Sequence, residues 1–290
     1  MPDVDEQAAR PGGSTGGAAE TRAARRARRE ARLRTPLLPE MATVPRPVVV
    51  VATVVLSLAV VPAVRTDPVV VAGALAWAGL VLAYGWPRLL GSSSRFGSSL
   101  AIGVAGVLAP VAAVLPDGRP DLSLVPVALA VGLLLMFGHQ IVRRDGRPRL
   151  TESIGITAFG LALVSVGTTW LPLTLDQPTA DLAVAGLVAL AVSSLTDLAV
   201  GMRRLRAWLL PVAMVLGAAS AIVAASVLGA PRPAAAALTG LLVAAVSFAL
   251  RRVLSVLPPI TRVPGQLASA AAGVLVPGVV AYGVALAFVG

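Results

Sequence analysis

Nine apolar stretches of roughly twenty residues, joined by short connections, constrain this 290-residue chain more than any other feature. They lie at about 47–64, 68–86, 97–115, 122–142, 153–173, 181–201, 208–229, 233–250 and 267–289. A helix needs roughly 17–25 such residues to cross the hydrocarbon of a bilayer. Inside lipid each backbone N–H and C=O has to be satisfied within the segment, so a helix is the form these runs must take. With 57% hydrophobic and 13% charged residues, the chain has too little charge to cover a water-soluble globule of this length. The expected fold is all-α, a polytopic transmembrane helix bundle of about nine spans.

All 24 basic residues are arginine, and alternate connections hold nearly all of them. One set of connections carries Arg88 and Arg95, then Arg143, Arg144, Arg147 and Arg149, then Arg203, Arg204 and Arg206, and finally Arg251, Arg252 and Arg262. Reading the N-terminus as cytoplasmic places 21 arginines on one side and leaves Arg65, Arg119 and Arg232 on the other. That asymmetry is the positive-inside pattern. The opposite connections are short and carry Asp117, Asp121, Asp176 and Asp181. An odd number of crossings puts the C-terminus outside. Arginine to the exclusion of lysine, with abundant Ala, Val, Leu and Gly, points to a GC-rich bacterial genome and hence to a multi-pass protein of a bacterial inner membrane.

Two regions follow from this pattern. Residues 1–46 form a basic cytoplasmic tail, in which Thr21 to Arg34 carries seven arginines against one glutamate. With no apolar periodicity to build a core, it is expected to be disordered. The first apolar run begins near Pro47, too far from the start for a cleaved leader, so it reads as a retained span. Residues 47–290 form the transmembrane helical domain. A sequence pI near 11.6 would suggest nucleic acid in a soluble protein. Here the charge flanks apolar runs, so the expected partners are the bilayer and its anionic headgroups, not nucleic acid.

Helices in lipid gain little from hydrophobicity on associating, and small residues mark where backbones approach. Such stripes occur at Ala72, Ala76, Gly79 and Ala83, at Ser153, Thr157, Gly160 and Gly167, and at Gly217, Ala221 and Ala224. Trp86, Trp170 and Trp208 fall at span ends, where tryptophan favours the headgroup level, while Trp77 lies mid-span and is expected between helices. Pro277, flanked by Gly273 and Gly278, is the expected helix break.

Chemistry has few candidates. An ionisable side chain within a span costs about 2.5–3.5 kcal/mol on insertion scales, so it should face the bundle interior. Asp197 qualifies, on a stripe that continues through Ser193, Ala189 and Gly186 with Thr196 beside it. It sits six residues before Arg203, roughly 9 Å deep at 1.5 Å per residue. At that depth it either forms a buried site or pairs with a loop arginine. His139 and Gln140 lie at a similar depth ahead of Arg143, and Glu152 opens the fifth span, where a carboxylate suits the positive helix end. If the fourth and sixth helices touch, His139 and Asp197 form a proton-accepting pair. His139, Gln140, Glu152, Thr196 and Asp197 are thus the candidate substrate or proton site, and Arg143, Arg144, Arg203 and Arg204 the candidate contacts to an anionic lipid or phosphate.

No nucleotide-binding loop, serine elbow, zinc-binding H-E-x-x-H or dinucleotide fingerprint is present. With no cysteine and one histidine, neither a metal nor a cofactor is expected, and no catalytic residue is assigned. Three functions fit. The first is a permease-like protein moving a small solute or lipid without its own ATPase. The second is a non-catalytic membrane subunit or scaffold that binds a protein partner or anionic lipid. The third is an intramembrane enzyme acting on a lipid or isoprenoid. The first is the favoured reading, and it is not enzymatic.

Overall fold

Proline opens most of the helices. It stands in the first two positions of α1 (Pro47–Val64), α2 (Pro68–Leu89), α4 (Val125–Val142), α6 (Gln177–Ser194), α8 (Pro233–Leu254), α9 (Val263–Leu275) and α10 (Pro277–Phe288). Its missing N–H is one that no helix start could satisfy internally, and its fixed φ is already helical. The remaining long helices are α3 (Arg95–Val114), α5 (Leu150–Gly167) and α7 (Leu209–Leu228). These elements belong to a computed structural model that describes residues 43–115, 119–143, 149–230 and 232–289. Most of the basic tail, together with Arg144, lies outside the described residues.

The described residues form no strand, and nine helical spans, with α9 and α10 counted together, are long and apolar enough to cross a membrane. That is the architecture of a multi-pass membrane protein. Successive helices run up and down, so Arg46, Arg88, Arg95, Arg143, Arg149, Arg203, Arg204, Arg206, Arg251, Arg252 and Arg262 gather at one end, and Arg65, Arg119 and Arg232 at the other. The neighbours α2 and α3 pack closely, as do α7 and α8, while α6 lies at the centre against α1, α7 and α8. The α9 helix packs on α1, α2 and α8. At the edges, α4 and α7 are the least buried spans.

Close crossings occur where glycine meets glycine. A Cβ on Gly79 would lie 2.9 Å from the Cα of Gly106, and one on Gly217 would lie 2.5 Å from the carbonyl of Gly240. These contacts join α2 to α3 and α7 to α8 by backbone, as expected where dispersion rather than hydrophobicity drives helix association.

The tryptophans depart from the sequence expectation. Trp86 and Trp170 are fully buried rather than at a rim, whereas Trp77 is half exposed on the outer face of α2. The reason is that both interior indoles find backbone acceptors: Trp86 Nε1 donates to Ile156 O at 3.0 Å and Trp170 Nε1 to Val274 O at 3.1 Å. Trp86 also meets Phe159 edge-on at 5.3 Å. Only Trp208 has the exposed, terminal position expected of it.

A second departure concerns Asp181, expected in a loop. The Asp176 carboxylate accepts the Thr179 N–H at 2.9 Å, which starts α6 at Gln177 and carries Asp181 into its second turn. There it is buried and bound to Arg65 at 2.5 Å, tying α6 to the end of α1. In the connection before α4, Asp121 accepts from the Ser123 hydroxyl at 2.6 Å and backbone N–H at 2.9 Å, which hold its carboxyl below the usual range.

Candidate functional site

The end of α6 does not continue as an α-helix. From Leu195 to Gly201 the chain tightens into a 3-10 stretch of seven residues, long for that form. This rotates Asp197 off the α-helical stripe of Ser193, Ala189 and Gly186 and turns it toward α8. Its carboxylate accepts from Arg251 Nε at 2.7 Å, with the Arg251 side chain 2% and the Asp197 side chain 16% exposed. Thr196 is buried and donates to the Ser193 carbonyl at 2.7 Å, which satisfies its hydroxyl locally.

Arg251 is held by a chain that begins at a proline. Pro277 has no N–H to give the carbonyl of Gly273, four residues earlier, and α9 stops at Leu275 with Val276 between it and α10. The orphaned Gly273 carbonyl accepts instead from Ser247 Oγ at 2.7 Å, and Ser247 Oγ in turn accepts from Arg251 Nη1. A Cβ on Gly273 would come within 3.3 Å of Arg251 Cγ, so the glycine gives the arginine its passage. The break in the last span, Ser247, Arg251 and Asp197 are thus one connected unit. Ser247→Ala should cost about 1–3 kcal/mol, the usual penalty for unsatisfied buried groups. Adding Pro277→Ala, which restores the missing donor, should recover the part due to Gly273. A double-mutant cycle on denaturant unfolding in detergent measures this coupling.

Beside the pair lies a cavity of about 40 Å³ at the arginine-rich end, with Arg46, Asp197, Arg251, Arg252, Ser255 and Ser269 among its lining. It has room for a few waters. Arg251 Nη2 is buried with no hydrogen-bond partner among the described residues. Arg46, just before α1, donates to the Ile260 carbonyl at 3.3 Å, and burial lowers its pKa from the ordinary guanidinium value. Among the described residues, three guanidinium groups and one carboxylate therefore line the cavity.

The other candidates assemble elsewhere. Gln140 Nε2 donates to Ser153 Oγ at 3.2 Å, and Arg143 Nη1 donates to Gln140 Oε1 at 3.1 Å. Ser153 continues to Ser92 at 3.3 Å and Ser92 to Ser98 at 3.2 Å. The Thr157 hydroxyl reaches both Ser98 Oγ at 2.7 Å and the Ser153 carbonyl at 2.8 Å. This network, buried and neutral except for Arg143 at its end, ties α3, α4 and α5 together. His139 stands beside it, filling the space over Gly97 with its ring 6.2 Å from that of Phe96.

His139 and Asp197 are not brought together, because α4 packs on α3 and α5 and has no substantial contact with α6. Glu152, in the first turn of α5, pairs with Arg149, whose left-handed backbone (φ 53°) the ion pair accompanies. Arg203 and Arg204 are exposed in the turn after the 3-10 stretch. Among the described residues no group of histidine, cysteine or acidic side chains is arranged to hold a metal.

Sequence reasoning singled out Asp197 but missed its partner. Arg251 reads as a loop arginine because Arg252 follows it at the end of a span, although Ser247 one turn earlier was the available signal for a buried guanidinium. Comparison of the chain with protein families, with characterised proteins and with solved structures finds no significant match to any of them.

Proposed function

We propose that this is a permease-like protein of a bacterial inner membrane, its arginine-rich end cytoplasmic, moving a small anionic solute without an ATPase of its own. The observation that carries the reading is the Asp197–Arg251 pair at a cavity of the arginine-rich end. Replacing a buried ion pair by apolar residues is often neutral or stabilising, so the pair's role is better sought in function than in stability. Arg46, Arg251 and Arg252 outnumber Asp197 at the cavity, and an entering anion would compete with that carboxylate for Arg251. Asp197 stands within the 3-10 stretch, and Arg251 is tied through Ser247 to the carbonyl freed by the break at Val276, so two interrupted spans meet at the pair. A discontinuous helix beside a charged site is a recurrent arrangement in secondary transporters. A membrane subunit without transport activity is the alternative, favoured by the cavity's small size.

The chain contains no cysteine, so a single introduced thiol reports without background. In Ser269→Cys, a membrane-impermeant maleimide applied to inside-out vesicles should react slowly, and several-fold faster once Asp197→Asn loosens the pair. Labelling absent from both variants would mean a permanently sealed bundle and would transfer the reading to the subunit alternative.

A further inference from the structure

A second arginine cluster lines a separate cleft, sharing no lining residue with the Asp197 cavity, where the α2–α3 connection meets the start of α9. Arg88, Arg95 and Arg262 line a cleft of about 450 Å³ with Thr261, Pro258 and Pro259, and among the described residues no acidic side chain lines it. Arg95 and Arg262 are exposed, and their side chains make no hydrogen bond or ion pair among the described residues. Arg88 rests on the Tyr84 ring, 4.4 Å from its centroid, and one of its nitrogens donates to the Tyr84 carbonyl. The N-termini of α3 and α9, neither closed by a side-chain cap, add their positive dipole ends to the same place.

This cleft continues into an apolar one. Trp77, Val81, Tyr84 and Arg88 follow each other at spacings of four, three and four on one face of α2. Trp77 and Val81 line an apolar groove of about 360 Å³, together with Val51 and Val55 of α1 and Leu267 of α9. Leu267 is one turn beyond Pro264, which lines the arginine cleft. Arg88 and Trp77 are eleven residues apart, roughly 16 Å along the helix axis. A cationic cleft at the end of the bundle thus opens onto an apolar groove that descends from it.

We propose that the α2–α9 seam binds an anionic phospholipid, its phosphate between Arg88, Arg95 and Arg262 and one acyl chain along Tyr84, Val81 and Trp77. Charge selects this occupant: three guanidinium groups without a carboxylate match a net-negative headgroup, and the adjoining groove matches a hydrocarbon tail. The site stands independently of the transport reading, because none of these residues lines the Asp197 cavity.

Native mass spectrometry of the full chain in mild detergent tests it, with phosphatidylglycerol, phosphatidylcholine and glycerol phosphate as probes. Phosphatidylglycerol should be retained in preference to phosphatidylcholine, and Arg95→Gln with Arg262→Gln should weaken it about thirtyfold. Arg119→Gln with Arg232→Gln, equally exposed but at the opposite end, should leave it unchanged. All four positions are on the surface, so wild-type melting temperatures are expected and show that the variants are folded. Equal loss in both double variants, or equal retention of the two lipids, would overturn the site. Glycerol phosphate bound as tightly as phosphatidylglycerol would overturn the part assigned to the groove.

Discussion

Asp197→Ala should destabilise the protein by about 3–5 kcal/mol, the range found when one partner of a buried ion pair is removed. Arg251 is the reason. Its side chain is 2% exposed, its Nη1 is committed to Ser247 and its Nη2 has no partner among the described residues, so losing the carboxylate leaves a cation without the counter-charge those residues supply. The diagnostic is the double variant. If the loss comes from the stranded charge, Asp197→Ala combined with Arg251→Met should recover most of it, because methionine fills the same channel past Gly273 without needing a partner. Thermal unfolding of the full chain in one detergent gives all three values. A single Asp197→Ala variant that melts like wild type would mean Arg251 is already neutralised by another route, and the pair would lose its claim to be a gate.

Gly240→Leu is expected to be nearly as damaging, at about 3 kcal/mol, the upper part of the usual cost of overpacking. A Cβ there would lie 2.5 Å from that of Ala221 and closer still to the Gly217 carbonyl. The obstacle is backbone rather than a side chain able to swing aside, so α7 and α8 would have to separate. The α7 helix is an edge helix with much of its surface outward, and this crossing is a large part of what docks it. The contrast is Gly138→Leu on α4, where a Cβ meets nothing within 4 Å. There the same substitution should be neutral or slightly stabilising, since leucine favours helix over glycine by up to about 1 kcal/mol. Unfolding midpoints of the two variants in detergent should move in opposite directions or differ by the full cost of the clash.

The contrast also locates what could be read from the residues alone. The number of spans and the break at Pro277 were legible because crossing a bilayer sets a minimum apolar length and because proline lacks a donor. Which face of a helix points inward was legible only where small residues form a stripe, as at Ser153, Thr157, Gly160 and Gly167, all of them buried. In water an amphipathic pattern marks the buried side, but lipid is as apolar as the interior, so position along the span misled: mid-span Trp77 faces outward and Trp86 near the span end is fully buried. For the same reason, depth along a span was no guide to proximity. His139 and Asp197 lie at similar depth, yet α4 and α6 occupy different parts of the bundle. The pairing of Asp197 with Arg251 depended further on a 3-10 turn and on a carbonyl freed 76 residues downstream of Asp197, which no local pattern announces.

The serine and threonine knot linking α3, α4 and α5 has a counterpart in the charged tie among α6, α8 and α9, and the two respond to different conditions. Contacts between hydroxyls have no proton to lose in the ordinary pH range and no net charge for ions to shield. The bundle therefore has one flank held chiefly by uncharged contacts and one held by an ion pair, so a competing anion should loosen the molecule from the second side first.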